Sequence, residues 1–152
     1  MAIKINGGST NYASTFSASP TAERTITVPD ASFTLAGTDA VQTFSVAQRA
    51  AIGTLTDGST ITPDFATANN FTVTLGGNRT LANPTNLVAG QSGSIFIVQD
   101  GTGSRTLSWG SYWDFAGGTA PTLSTTASAV DRIDYIVRSS TSIHTVFTAN
   151  YS

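Results

Sequence analysis

Residues 109–115, Trp109-Gly110-Ser111-Tyr112-Trp113-Asp114-Phe115, carry four aromatic rings within seven positions. Flat rings beside a carboxylate are what a sugar-stacking platform needs, and hydroxyl-rich surroundings suit a carbohydrate. The same Trp109, Tyr112, Trp113 and Phe115 would serve equally as a contact between subunits or as a cap over the core of their own domain. All three uses remain open at the level of the residues.

Other reactive arrangements are sparse. The single histidine, His144, lies in an alternating segment where an imidazole on a sheet face is the default, and no spacing supplies a Ser-His-Asp arrangement. Asp131 and Asp134 stand at i and i+3, which on a strand places them on opposite faces and denies them a general acid/base partnership. Asp100-Gly101-Thr102-Gly103 resembles a calcium or phosphate loop, yet it lacks the further carboxylates of the first and the Gly-Lys-Ser/Thr of the second. It reads as a plain hairpin turn. Asn70-Phe71-Thr72 and Asn78-Arg79-Thr80 fit the glycosylation pattern but follow no secretory signal. No catalytic residue, metal ligand or cofactor is expected.

Composition narrows the partners. A chain of 152 residues is one ordinary domain, able to take roughly 68–70% of its extended surface out of water. Only 11% of it is charged, against about 25% in ordinary soluble proteins, whereas Thr and Ser number 26 and 18. The surface must therefore be built of hydroxyls and amides. Seven basic residues are scattered singly (Lys4, Arg24, Arg49, Arg79, Arg105, Arg132, Arg138) and the net charge is −2, so no positive stripe offers itself to nucleic acid. No apolar run approaches the roughly 18 residues of a membrane span, and the first residues lack the apolar core of a signal peptide, which predicts a soluble chain with no membrane partner. Without cysteine, no disulfide or thiolate metal site is possible.

The elements that must carry these residues are mostly strands. Phe71, Val73 and Leu75 alternate with Thr72 and Thr74; Ile143, Thr145, Phe147 and Ala149 repeat the period, as do Ile26 and Val28 between Arg24 and Val28. Ser94–Val98 and Ile133–Val137 are apolar on both faces, which predicts central strands covered on both sides. Turn signals separate them at Asp57-Gly58, Gly76-Gly77-Asn78, Asn83-Pro84, Asp100-Gly101 and Gly117-Gly118. The fold class predicted is all-β, an antiparallel β-sandwich or jelly roll. One short helix is predicted over Thr43–Gly53, from its hydroxyl cap, its helix formers and its closing glycine. Residues 1–41 read as an extended arm, and 42–152 as the sandwich domain. Arg24-Thr25-Ile26, Arg79-Thr80-Leu81 and Arg105-Thr106-Leu107 echo one another at unequal spacings, which argues for strand starts rather than a solenoid repeat.

From Gln42-Thr43-Phe44-Ser45 onward the chain resembles a module of tailed-bacteriophage structural proteins, found at the C-terminus of fibre-like and decoration proteins. The resemblance runs through Ile61-Thr62-Pro63-Asp64-Phe65, Leu75-Gly76-Gly77-Asn78-Arg79-Thr80-Leu81-Ala82-Asn83-Pro84, Gln99-Asp100-Gly101-Thr102-Gly103-Ser104-Arg105-Thr106-Leu107 and Gly117-Gly118-Thr119-Ala120-Pro121. It covers most of residues 42 to 137 and fades after Val137. Glu23 to Gly37 resembles another phage-fibre phrase, strand, Pro-Asp turn and strand.

The resemblance implies an all-β, homotrimeric virion component without catalytic residues. Because the sequence as read leaves room for an arm and one domain, a capsid decoration, or cement, protein is expected, one that clamps the phage major capsid protein on the outer shell. A short tail fibre or head fibre with a receptor-binding tip, for which a glycan receptor is conceivable, is the alternative. On the first reading Ile3, Ile5, Tyr12, Phe16, Ile26 and Val28 form the capsid- or partner-binding arm, adding strands to an exposed sheet edge. The aromatic residues 109–115 are then a trimer contact or a core cap.

Overall fold

Alternation becomes burial directly in the computed structural model, which describes residues 47–151. Phe71, Val73 and Leu75 are buried while Thr72 and Thr74 face outward, and Ile95, Ile97, Ile133 and Val137 line the same interior. In chain order the strands are β1 (Ile52–Thr54), β2 (Thr60–Ile61), β3 (Asn70–Leu75), β4 (Arg79–Leu81), β5 (Ser92–Gln99), β6 (Leu107–Trp109), β7 (Trp113–Phe115), β8 (Val130–Ser139) and β9 (Ser142–Thr148). A single 3₁₀ turn at Ala116–Gly118 is the one helical element among the described residues.

The strands form a six-stranded sheet in the order β1-β3-β5-β8-β9-β7 and a three-stranded sheet in the order β2-β4-β6. Odd strands fall in one sheet and even strands in the other through β6, so the chain winds through three coils, crossing between sheets twice per coil. Stacked coils pair in parallel: Phe71 lies beside Gly53 and Ile95, and Leu81 beside Ile61 and Trp109. Ile61 and Leu81 from the small sheet join Phe71, Val73, Leu75, Ile95 and Ile97 from the large one in a single apolar cluster. The winding then stops. β8 adds to β5 antiparallel, β9 returns antiparallel to β8, and β7 closes the far edge parallel to β9.

All-β is therefore the fold class, but the antiparallel sandwich or jelly roll gives way to a three-coil solenoid finished by a hairpin. Alternation fixes which face of a strand is buried and is silent about its neighbour. The solenoid argument from unequal spacing also fails. Register advances from Ile52 to Asn70 and then from Asn70 to Ser94, so coils of different length stack on one another, the excess lying in the crossings. Arg79 sits beside Leu107 rather than beside Arg105, so the sequence echo is displaced by one pleat. The helix expected over Thr43–Gly53 is absent where it can be followed: residues 47–51 have no regular structure and Ile52–Thr54 is β1. There a Cβ on Gly53 would stand 3.1 Å from the Phe71 ring, and close strand packing outweighs helix propensity.

Each crossing removes backbone groups from the sheet ladders, and short polar side chains take their places. Gln99, only 2% exposed, accepts from Arg105 N at 2.8 Å and donates to Arg105 O at 2.9 Å, in the manner of a missing strand. Asp100 accepts from Thr102 N, Gly103 N and the Arg105 guanidinium. The Asp100-Gly101 stretch is consequently an arch between two sheets, not a hairpin. Asn78 accepts from Thr106 N (3.0 Å), Asn70 from Ser94 N (3.1 Å) and Asn83 from Tyr112 N (2.9 Å), each reaching to the following coil. Arg79 reaches the other way, with two bonds of 2.8 and 2.7 Å to Asp57. Asp131, 1% exposed, accepts from Ser124 N, Ser124 Oγ and Asn150 N, which ties the C-terminal residues to the body.

The bonds to Asp57, Asp64 and Asp100 favour their ionised carboxylates. The Arg105 guanidinium holds Asp100 down to about 2, Arg79 holds Asp57 below its usual value, and Asn86 does the same for Asp64. A carboxyl whose pKa is lower folded than unfolded contributes stability that is complete above the unfolded value and is lost as pH falls through the folded one. The melting temperature is therefore expected to drop as pH falls from about 4 to about 2, and Asp100→Asn to show a shallower acid decline from a lower neutral value. Calorimetry across that range checks it; a melting temperature unchanged on acidification would contradict the arch bonds.

Candidate functional site

The aromatic stretch lies where the winding ends. β6 runs out at Trp109, Gly110 turns the chain, and β7 begins at Trp113 on the other sheet. Gly110 is required there, because an added Cβ would collide with the Asn83 side chain and the Ala82–Asn83 backbone. The turn brings the Trp113 ring over the open end of the core. Trp113 is 5% exposed, and its Nε1 donates to Ala82 O at 3.0 Å. Its ring meets Phe65 at 6.3 Å and Tyr135 at 6.5 Å, both edge-on, while Phe65 stacks on Tyr135 at 4.6 Å. Trp109 continues the series outward, 6.1 Å from Trp113 and 4.9 Å from Phe115, and its buried Nε1 has no partner among the described residues. Tyr112 and Phe115 are half-buried against the same cluster.

Of the four rings, Trp113 is thus enclosed by protein and offers no face to a ligand. Phe115 keeps one side near solvent, between shallow hollows of about 250 and 220 Å³ lined by Asp114, His144, Thr145, Pro121 and Val146. Here the strands assemble a group that spacing did not reveal. β7 and β9 set Asp114 beside His144, and Ser142 Oγ donates to Asp114 Oδ2 at 2.6 Å. The order is wrong for a nucleophile: the hydroxyl is bonded to the carboxylate, whereas activation needs it on the imidazole. Asp131 and Asp134 do fall on opposite faces of β8, the first buried under Ser124 and Asn150, the second outward with Arg132.

A further hollow, about 410 Å³, opens beside β1 and β2 among Thr54, Thr60, Thr62 and Phe71. Its two carboxylates are committed, Asp57 to Arg79 and Asp64 to Asn86 at 2.7 Å. Among the described residues no group of three His, Cys, Asp or Glu is placed to hold a metal ion. Burial pushes the Tyr135 hydroxyl up to about 12, and that hydroxyl donates to Asn69 O, which makes it a fixture of the core.

Sequence reading missed the outward face of the large sheet. Ile133–Val137 was expected to be covered on both sides, yet Ile136 is 50% exposed and Val146, beside Asp134 on β9, is 65% exposed. The apolar run was the available signal, and among the described residues no second layer packs on that face. Ile3, Ile5, Tyr12, Phe16, Ile26 and Val28, the expected partner-binding arm, lie outside the described residues.

Trp113→Ala is expected to cost about 3–5 kcal/mol of unfolding free energy, as removal of a large buried ring does. Denaturant titration reads the loss. A variant as stable as the parent would mean that the ring is not part of the core.

Residues 61–141, just over half of the chain, match the model of a family described as "Putative phage tail fibre C-terminal domain". No curated protein and no solved structure matches the chain.

Proposed function

The chain belongs to the phage tail fibre C-terminal domain family, a phage virion-associated structural group, and from that premise we propose that it is the non-catalytic end module of a phage fibre, working as a homotrimer without cofactors. The match over residues 61–141 is the observation that carries the reading, since it takes in the second and third coils, the aromatic cap and β8 together.

The chemistry of the body supports it. Asp57, Asp64, Asp100, Asp131 and Asp134 all spend their oxygens on structural hydrogen bonds, so little titratable chemistry is left over for a reaction. What the module offers instead is a stiff, weakly charged β surface, suited to holding its shape while other surfaces press on it. Capsid decoration, the expectation drawn from shortness and resemblance, has less behind it, because the matched family is a fibre domain. A stacking platform for a receptor sugar would have to use the half-buried Trp109, Tyr112 or Phe115, given that Trp113 is enclosed.

Immunogold labelling of intact virions tests the location. Label at the tail or on fibres is the expected result. Label spread over the shell, with saturable binding of the purified protein to shells that lack it, would overturn the fibre assignment in favour of decoration.

A further inference from the structure

We infer that the two hollows meeting at Phe115 form a binding site for an uncharged saccharide. The inference rests on the reading of the chain as a fibre end module and names the class of ligand that such an end would hold.

Phe115 closes β7, the outermost strand of the six-stranded sheet, and Ala116 turns off it. One hollow, about 250 Å³, is lined by Phe115, Ala116 and Thr145 together with Asp114 and His144. The other, about 220 Å³, shares the first three and adds Thr119, Pro121 and Phe147. They are neighbouring compartments over one half-buried ring. Each lies below the roughly 300–1,000 Å³ usual for a pocket that takes one compact drug-sized molecule, which suits small units joined in a chain, one in each hollow. The lip is low, because Gly117 and Gly118 are exposed and carry no side chain.

The chemistry of the rim selects the ligand. Asp114 is exposed, Ser142 Oγ holds its Oδ2 at 2.6 Å, and its Oδ1 takes no bond among the described residues. His144, beside it in register, is likewise exposed and without a bond among the described residues. Two hydrogen-bonding groups thus stand next to an apolar floor of Phe115, Pro121 and Phe147. A sugar ring has the complementary form: a face of C–H groups that stacks on an aromatic ring, and a rim of hydroxyls that donate to a carboxylate and exchange bonds with an imidazole. Thr145 Oγ1 donates to Asp114 O at 2.8 Å, so the strands under the site are fixed before a ligand arrives and little ordering opposes binding. Charge narrows the class further. Among the described residues no Lys or Arg lines either hollow, whereas Asp114 brings a negative charge. A sialyl, uronyl or phosphoryl group would meet that carboxylate with no guanidinium to receive it, and like charges brought together cost affinity.

Immobilised oligosaccharides probed with the fluorescently labelled full chain test the site, with neutral glucose, galactose and N-acetylglucosamine oligomers set against sialylated, uronic-acid and phosphorylated ones. Binding to at least one neutral class and to none of the acidic ones is expected. Ala116→Gln, whose exposed side chain would fill the space shared by both hollows, and Phe115→Ala are expected to weaken that binding at least about tenfold. Tyr151→Ala, which removes an exposed ring outside both hollows, is expected to bind as the parent does. Circular dichroism melts accompany each variant, and Ala116→Gln, which removes no packed atom, carries the test should Phe115→Ala unfold. Binding to no neutral class, or binding that Ala116→Gln leaves unchanged, would overturn the site, and a preference for acidic sugars would overturn the ligand class. Tail label on virions together with absent sugar binding would leave the fibre reading standing, whereas label over the shell would remove that reading itself.

Discussion

A chain that shuttles between two sheets must satisfy its backbone polar groups at every crossing, where no neighbouring strand is available to do it. Here the solution is local and chemical: Gln99 stands in for a strand, Asp100 gathers two N–H groups and a guanidinium, and Asn70, Asn78 and Asn83 each accept from the coil that follows. Unpaired buried amides cost enough that these side chains are conditions of the fold rather than ornaments on it. They also account for the composition. A protein built this way needs short acceptors at its turns and hydroxyls on its open strand faces, and has little use for long charged side chains.

The core is closed at the end of the winding by rings rather than by another strand. Phe65 comes from the first coil, Phe71 from the second, Trp109 from the third, Tyr135 from β8 and Trp113 from the strand that follows the last coil. One cluster therefore ties every coil to the terminal hairpin. Repetitive architectures need a distinct closing element at each end, because the last repeat would otherwise leave its apolar interior open. Trp109 and Phe115 carry the cluster toward the surface, and the hollows beside Phe115 are where that closure meets solvent.

Individual strands were legible in the sequence and their partners were not. Asn70–Leu75 and Ser142–Thr148 announced themselves by alternation, and Asp57-Gly58, Gly76-Gly77-Asn78 and Asp100-Gly101 announced the chain reversals. A reversal into the same sheet and an arch into the opposite sheet use the same Gly, Asn and Asp residues, so the parallel coil looked like an antiparallel sandwich. The arch is betrayed only by where its side chains go, as when Arg79 reaches back to Asp57. The Thr43–Gly53 stretch misled for another reason: its helix formers are genuine, but Gly53 is claimed by the Phe71 ring beside it. Of the candidate site, the aromatic cluster was visible as a cluster, while its enclosure depended on Phe65 and Tyr135, distant in sequence. The apolar outward face escaped notice because exposure is a property of what packs above a strand.

Parallel stacking of coils is the claim on which the rest depends, and the absence of cysteine makes it directly testable. Thr80 on β4 and Ser108 on β6 are register partners, and so are Thr60 and Thr80. Paired cysteines at Thr80 and Ser108 should oxidise readily to an intramolecular disulfide in the folded protein, and so should the pair at Thr60 and Thr80, both being within the reach of that bond. A pair at Thr74 on β3 and Thr80 on β4, which a hairpin turning at Gly76-Gly77-Asn78 would bring together, should stay reduced because those strands lie in different sheets. Rapid oxidation of the Thr74–Thr80 pair, with the other two left as free thiols, would contradict the coil.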